Sequence, residues 1–459
     1  MIVITTIKRF YRNNKDILLK LAFTLLVLFI IRLGALITVP GVNINKNLNE
    51  SNKDSREFFN LIAMLGGGSI DRFSLFALGL SPYITASIIV QLLSTDLVPG
   101  LSRWAKSGEK GKRKLDSLTK WLTLPFGIMQ GFATIMTLAQ QKIISLKWQE
   151  ADAGNIATSA VFYYILVPTL LLGGTFLILW LADQITIRGI GNGVSLVIFA
   201  GIASSLPFNI AKTFQFWVGG QSEAIVVFSG FLKFLLYMVG FLLVILMVVF
   251  FAESERRIPI QQTGSGLALK SEKAPYLPLK INSAGVIPVI FASAIITAPL
   301  TIAQIVKANN PEGTGFTNFT ETYLALDSWS GMSIFAILII LFTFLYSQIQ
   351  INPEQMAENF QKNGTFIPGI QPGKETEKYI KSTLNRLSVV GSIFLAFVAI
   401  LPTLISKLTN LPPMLAIGGT GVIIMVGVAI EVIRQVQGHL TQQSYIQFKR
   451  DENQSKNIW

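Results

Sequence analysis

The sequence of 459 residues contains no cysteine and a single histidine, His439. The absence of cysteine excludes a disulfide framework, a cysteine zinc site and a thiol nucleophile. One histidine near the C-terminus provides no basis for a Ser-His-Asp triad or for a metal site with several histidines. The composition therefore does not support the common classes of hydrolytic and zinc-dependent enzymes.

Charged residues are also scarce, at 14% of the chain, against about 25% in ordinary soluble domains. Apolar residues make up 51%, and phenylalanine alone occurs 32 times. A soluble protein of this composition would expose large apolar patches and aggregate. These values exclude a soluble globular enzyme, a disordered chain and a nucleic-acid-binding domain of the usual charged kind. They predict a protein that crosses the membrane many times.

Ten mostly apolar stretches have about the 20 residues that a membrane-crossing helix needs, or nearly so. They are Leu19–Val39, Gly79–Val98, Trp121–Gln140, Thr158–Leu181, Gly193–Ile210, Ala224–Phe251, Ile281–Ala303, Gly331–Ile351, Leu387–Ile405 and Met414–Ile433. The first stretch is too long for the apolar part of a signal peptide and is followed by nine more. We therefore interpret it as a membrane helix.

Lys and Arg outnumber Asp and Glu by 38 to 25, and most of them lie in the two tails and the even-numbered loops. By the positive-inside rule, both termini and the even loops are cytoplasmic. These residues either only set the topology or also form a docking face for an acidic or RNA-rich partner. The unusual length of the sixth and eighth loops favours the docking face.

Acidic residues are almost excluded from the spans, whereas a secondary transporter driven by protons or sodium usually carries them near the midplane. Arg32 lies well inside the first span, toward its outer end, where its side chain either snorkels to the outer surface or makes a functional pairing. Residues 189–193, GIGNG, lack the spacing and the lysine of a nucleotide-binding loop, so we predict a tight turn between helices. The nearly neutral interior fits a path for something other than a small ion.

Six segments carry a resemblance to a known family. They read DRFSLFALGLSPYITASIIVQ at 71–91, QITIRGIGNG at 184–193, ERRIP at 255–259, LPLKINSAGVIPVIFA at 277–292, FIPG at 366–369 and GGT at 418–420. In order and spacing they resemble the bacterial SecY family, the central channel subunit of the Sec protein translocase. The resemblance implies an all-α polytopic membrane protein with ten transmembrane helices, in two inverted five-helix halves around an hourglass pore. The halves would be residues 1–218 and 219–459.

The resemblance also implies an apolar pore ring and a plug. The ring positions are Leu80, Ile84, Val194, Ile198, Ile290 and Ile424, all aliphatic here. The plug, at about residues 58–70, is apolar but too short to cross the membrane, and it contains Phe58, Phe59, Leu61, Ile62, Leu65, Gly66, Gly67, Gly68 and Ile70. Its glycine run would let the segment move without backbone strain.

A lateral gate and a cytoplasmic docking face are implied in the same way. The gate positions are Thr85, Gln130 and Asn282, and the docking positions are Arg256, Arg257, Lys270, Lys273, Gln371, Lys374 and Lys378. The docking loops depart from the family pattern, since Gln371 replaces an arginine that is frequent in the family. The sixth-loop tip, QQTGSGLALK at 261–270, also lacks the usual basic pair.

We therefore expect a non-enzymatic protein-conducting channel without a cofactor or metal, in the bacterial plasma membrane. Its implied partners are SecE, SecG, the SecA motor ATPase, the ribosome, signal sequences, unfolded polypeptides and membrane lipid. An accessory channel dedicated to a restricted set of substrates is an alternative, since the docking loops are altered. A solute or ion transporter and a purely structural scaffold are alternatives from other classes.

Overall fold

Each of the ten predicted spans overlaps one helix of the structure. The computed structural model describes residues 15–40, 42–44, 73–94, 98–140, 144–146, 162–219, 224–262, 275–309, 314–326, 328–409 and 419–456. The ten helices are α1 (Lys15–Gly34), α2 (Ser81–Ser94), α4 (Glu109–Gln140), α5 (Val167–Arg188), α6 (Gly193–Val218), α7 (Ala224–Glu253), α8 (Ile287–Asn309), α10 (Trp329–Gln350), α12 (Lys374–Thr409) and α13 (Gly419–Lys456). Shorter helices are α3 (Pro99–Lys106), α9 (Gly315–Phe319) and α11 (Pro353–Lys362), and π-helical turns cover Phe162–Leu166 and Thr320–Leu324.

Seven helices in the described residues are long and apolar enough to cross a membrane, or eight if α2 and α3 form one bent span. In α8 the apolar part is the shorter stretch Ile287–Leu300. Length and composition therefore support a polytopic membrane protein, although they select fewer helices than the ten predicted spans.

Several helices extend beyond the predicted spans. The helix α4 begins at Glu109 and α12 begins at Lys374, well before the predicted starts, while α13 continues to Lys456. Hydropathy detects only the apolar part of a helix, and these added turns are rich in charged and polar residues. Conversely, α8 begins at Ile287, later than predicted.

Three two-stranded antiparallel pairs join the loops, an addition to the predicted all-α fold. Strand β1 (Val42–Ile44) pairs with β2 (Ile144–Leu146), with Asn43 opposite Ser145. Strand β3 (Glu255–Pro259) pairs with β5 (Tyr276–Lys280), and β4 (Gln261–Gln262) pairs with β6 (Thr365–Phe366). Four of these strands have only two or three residues, too few for a periodicity signal, and the five-residue β3, ERRIP, does not alternate apolar and polar residues.

The chain forms two compact units. Unit 1 comprises Met1–Val90, Gly108–Ser205 and Val428–Trp459, and unit 2 comprises Gln91–Ser107 and Leu206–Gly427. The predicted halves divide the chain at other positions, and the inverted relation between them stays a prediction.

In unit 1 a turn segment before α2 packs against α1 and α5. The Val39 N–H donates to the Phe73 carbonyl at 3.1 Å, and the Leu75 N–H donates to the Ile37 carbonyl at 2.9 Å. Phe73 is buried, as is Leu171 of α5. Because this segment is not helical, its backbone groups depend on these bonds to the end of α1.

In unit 2 the helices α8, α10 and α12 pack together. The Ser388 hydroxyl donates to the Ser347 hydroxyl at 2.8 Å in a buried contact between α12 and α10. Phe251 of α7 stacks on Phe394 of α12, with ring centroids 3.7 Å apart. A separate apolar cluster holds the loops to the start of α12, and it consists of Ile258, Leu279, Ile367, Ile380 and Leu384.

Two adjacent glycines of α5 allow a test of the packing in unit 1. A Cβ at Gly174 would collide with the Leu75 carbonyl oxygen, whereas a Cβ at Gly173 meets nothing within 4 Å. We expect Gly174→Ala to lower the melting temperature of the purified complex, measured in detergent by thermal unfolding. Gly173→Ala is the matched control, which gains up to about 1 kcal/mol of helix propensity. Equal melting temperatures of the two variants would contradict the packing of α5 on the turn segment.

Candidate functional site

Two of the predicted ring residues, Leu80 and Ile84, lie one helical turn apart at the start of α2. Gly79 precedes them with a φ of 53°, a conformation that glycine adopts without strain. The Ile84 N–H donates to the Leu80 carbonyl at 2.9 Å, which begins the helix. Leu80 is 0% exposed and Ile84 is 8% exposed. The start of α2 therefore fixes the positions of Leu80 and Ile84 relative to each other, one helical turn apart.

Val194 and Ile198 lie in the first two turns of α6, also in unit 1. Asn192 caps this helix, because its Oδ1 accepts the N–H of Val194 at 3.0 Å and that of Ser195 at 3.4 Å. Ile198 is 3% exposed, and Val194 is partly buried. Both ring positions of α6 thus follow directly after a capped helix start.

The other two ring positions belong to unit 2. Ile290 lies in the first turns of α8 and is 9% exposed, and Ile424 lies in α13 and is 3% exposed. All six positions carry aliphatic side chains without a hydrogen-bonding group. Their closure into one ring stays a prediction.

The predicted gate residues are also divided between the units. In unit 1 the Gln130 Nε2 of α4 donates to the Thr85 hydroxyl of α2 at 3.3 Å. In unit 2 the Asn282 Nδ2 donates to the Gly285 carbonyl at 3.0 Å, in the turn before α8. The Asn282 Oδ1 is buried and has no hydrogen-bond partner among the described residues. The Gln130–Thr85 bond thus links α4 to α2. The Asn282 bond uses only the amide nitrogen, so its Oδ1 can accept a further hydrogen bond.

An ion pair joins α4 to α5 in unit 1, and sequence reasoning missed it. Lys120 Nζ lies 2.7 Å from Asp183 Oδ2, with both side chains partly exposed. Desolvation raises the pKa of the nearby Asp116 carboxyl, Lys120 opposes this shift, and Asp183 adds to it. Opposite charges at the facing ends of consecutive spans were the sequence signal for this pair.

Arg32 of α1 donates from its guanidinium to the Ala200 carbonyl of α6. The side chain is therefore paired within the protein, and whether the pairing has a function stays a prediction. The partner is a backbone carbonyl rather than a side chain, which no sequence pattern indicates.

The predicted docking residues that the structure describes are exposed. Arg256 and Arg257 lie on β3, and Lys374 and Lys378 lie at the start of α12. Arg257 donates to Glu255 at 2.9 Å and lies over the Tyr276 ring at 4.9 Å. This hydrogen bond is the main cause that raises the pKa of the Arg257 guanidinium. Arg257 therefore stays charged, and the neighbouring Glu255 carboxylate offsets part of its positive charge.

Gln371 is exposed as well, and its carbonyl accepts the Thr376 hydroxyl at 2.8 Å. Lys270, Lys273 and all of the plug residues, 58–70, lie outside the described residues.

Comparison with known proteins assigns the family. The SecY family model matches residues 74–433. The chain belongs to the SecY family. It is 58% identical over 458 residues to the protein translocase subunit SecY of Mycoplasma capricolum, covering 98% of this chain and 94% of that protein. Membership in the SecY family means a channel subunit rather than an enzyme.

Solved structures share the fold. The chain is similar to a SecY protein whose plug domain was described as stabilising the closed state, with a TM-score of 0.62, 18% identity and 92% of each chain covered. It is also similar to Sec61 in the canine ribosome-channel complex, with a TM-score of 0.61, 18% identity, and coverage of 92% of this chain and 93% of that chain. At these identities the likeness shows a shared fold alone.

The bond between Thr85 and Gln130 is open to a double-mutant cycle. We expect the two side chains to be coupled by about 0.6 kcal/mol, a typical value for polar contacts between membrane helices. The measurement compares the free energies of unfolding of Thr85→Val, Gln130→Leu and the double variant in mixed detergent. The control cycle combines Thr134→Val with Gln130→Leu. The Thr134 hydroxyl donates to the backbone carbonyl of Gln130, which Gln130→Leu keeps, so these two effects should be additive. Strictly additive effects of Thr85→Val and Gln130→Leu would contradict the contact.

Proposed function

We propose that this chain is the channel-forming subunit of a bacterial protein translocase. It passes unfolded secretory polypeptides across the plasma membrane and releases apolar segments sideways into lipid. The observation that carries this proposal is the SecY family match over residues 74–433, which includes all six ring positions. The relative from Mycoplasma capricolum, which aligns over 98% of this chain, supports it further.

The ring would seal the resting channel by dewetting. An aliphatic constriction excludes ions because it has no group to replace their hydration shell. The same side chains deform around a passing polypeptide and have no polar group to bind it. The burial and aliphatic character of Ile84, Ile198 and Ile424 support this role.

The lateral gate would be a seam that weak polar contacts close. Contacts between polar side chains of membrane helices contribute about 0.6 to 2 kcal/mol each. The hydrogen bond from Gln130 to Thr85 is a contact of this kind. The buried Asn282 Oδ1 would accept a second such bond from a donor on a neighbouring helix. A seam of this strength opens when an apolar signal helix inserts.

The plug would block the outer side of the ring, as the family resemblance implies for residues 58–70. A similar SecY structure has a plug domain that is described as stabilising the closed state. In this proposal both termini and the long loops are cytoplasmic, and SecE and SecG complete the membrane complex.

The exposed basic residues of β3 and α12 would dock the ribosome and the SecA motor ATPase, which supplies energy. The similar Sec61 structure comes from a ribosome-channel complex. Gln371 favours a second candidate, an accessory channel with restricted substrates, because an exposed amide there removes a docking charge that is frequent in the family.

A polar substitution in the ring tests the proposed function. We expect Ile84→Asn to make vesicles containing the resting channel leak ions at least about tenfold faster, because a polar side chain lets water wet the constriction. Ion flux and export of a reporter with a defective signal sequence are measured together. Ile84→Val keeps the apolar surface and should behave as wild type.

A second control, Ile337→Asn, places the same polar group on a side chain of α10 that is 62% exposed. The Ile337→Asn variant should leave ion flux and reporter export unchanged. Normal flux and normal signal selection in Ile84→Asn would contradict the ring assignment.

The two arginines of β3 test the docking face. Arg256 is exposed, whereas Arg257 is held by Glu255 and Tyr276. We expect Arg256→Ala to weaken ribosome binding about threefold at low salt, and less at high salt because salt screens exposed charges. Arg257→Ala is the matched control, with a smaller effect. An equal loss in both variants would show that the pairing of Arg257 does not matter for docking.

A further inference from the structure

The segment Gly189–Gly193, which comprises the turn between α5 and α6 and the first residue of α6, is held by side chains of α1, α5 and α13. We call it the α5–α6 joint. The Ile190 N–H donates to the Thr24 hydroxyl of α1 at 3.0 Å, and the Gly191 N–H donates to Gln435 Oε1 of α13 at 2.8 Å. The Gly193 N–H donates to the Thr186 hydroxyl of α5 at 2.9 Å. Residues from α1 and α13 thus both contact this one turn of unit 1.

The joint is also closely packed, so its backbone has little freedom. A Cβ at Gly189 would lie 2.5 Å from the Thr24 hydroxyl oxygen. Gly191 has a φ of 90°, and a Cβ there would lie 2.9 Å from Leu196 and 3.3 Å from Val432 of α13. Any displacement of α1 or α13 at these contacts would therefore move the joint with it.

The joint is continuous with the helix that carries two ring positions. Helix α6 starts at Gly193, Val194 follows at once, and Ile198 comes one turn later. A shift of the joint would move both side chains, since backbone hydrogen bonds join the first turns of α6 to its start.

We propose that Thr24 and Gln435 are positioning residues of the channel, which hold α6 so that Val194 and Ile198 close the resting pore. This inference rests on the proposed function, because it requires that the ring controls ion flow and signal selection. Neither residue lies among the ring, gate, plug or docking positions.

The two residues are expected to contribute unequally. Thr24 is buried, and its hydroxyl donates to the Lys20 carbonyl while accepting from Ile190. Valine has the same shape but would leave the buried Ile190 N–H unpaired, which is a large penalty. Gln435 is exposed, so water replaces its oxygen when it is removed. Loss of Thr24 should therefore disturb the ring more than loss of Gln435.

The experiment measures resting ion flux in vesicles and export of a reporter with a defective signal sequence, using the complete membrane complex. We expect Thr24→Val to raise the flux about tenfold, the equilibrium change that an unpaired buried N–H produces. Gln435→Leu should raise it about two- to threefold, in line with loss of a solvent-exposed bond. Thr24→Ser and Gln435→Glu retain an acceptor oxygen, so both variants should show wild-type ion flux and wild-type signal selection.

Two controls remove groups of the same kind elsewhere in unit 1. Thr175→Val deletes a buried hydroxyl that donates to the Leu171 carbonyl of its own helix. Gln437→Leu deletes an exposed amide of α13, the helix that carries Gln435. Both should show wild-type flux and wild-type signal selection.

Ile198→Asn in the same vesicles separates the inference from the function on which it rests. Wild-type flux in Thr24→Val, beside a leaky Ile198→Asn, would overturn the role of the joint and leave the channel function standing. Wild-type flux in Ile198→Asn as well would overturn the ring assignment and this inference together. If Thr24→Val does not accumulate, Gln435→Leu decides, and wild-type flux in that variant overturns the proposal.

Discussion

Peptide N–H and C=O groups have no water to bind in the hydrocarbon core of a membrane, so each must be paired within the protein. Continuous helices satisfy this requirement along most of the described chain. Where the backbone leaves a helix, other bonds replace the helical ones: Leu75 donates to Ile37, Ile190 donates to Thr24, and Asn282 donates to Gly285. Five of the six candidate ring positions, all except Ile424, lie at or within the first turns of the helices that follow these interruptions. The helix starts that need special pairing are therefore also the places where most of the candidate pore positions lie.

The scarcity of charge has the same physical origin, since an unpaired charge in lipid is more costly than an unpaired amide. Within the first predicted span Arg32 donates to a backbone carbonyl, and just outside the third and fourth spans Lys120 lies against Asp183. The exposed charges of β3 and α12 lie outside the predicted spans, where solvation is available. This division leaves the candidate pore positions aliphatic, which suits a channel that must admit many sequences without binding one.

Sequence reasoning predicted the helices with greater success than it predicted their contacts. The ten apolar stretches each correspond to a helix, and the GIGNG segment is a turn between helices, as predicted from its missing lysine and its place after a span. The start of α12 at Lys374 was missed because charged turns carry no hydropathy signal. The pairing of β4 with β6 joins residues about a hundred positions apart, and strands of two residues have no periodicity to detect.

Composition and hydropathy alone were sufficient to establish a polytopic membrane protein, because the cost of burying charge acts on every residue independently. The motifs were sufficient to indicate the family and to name six aliphatic ring positions. Only the tertiary structure showed that Gln130 contacts Thr85, that Arg32 binds the Ala200 carbonyl, and that Thr24 and Gln435 meet at the α5–α6 joint. Those contacts join residues far apart in the chain, and their partners are often backbone groups that every residue carries. No pattern of side chains records such partners, so the folded backbone has to place them.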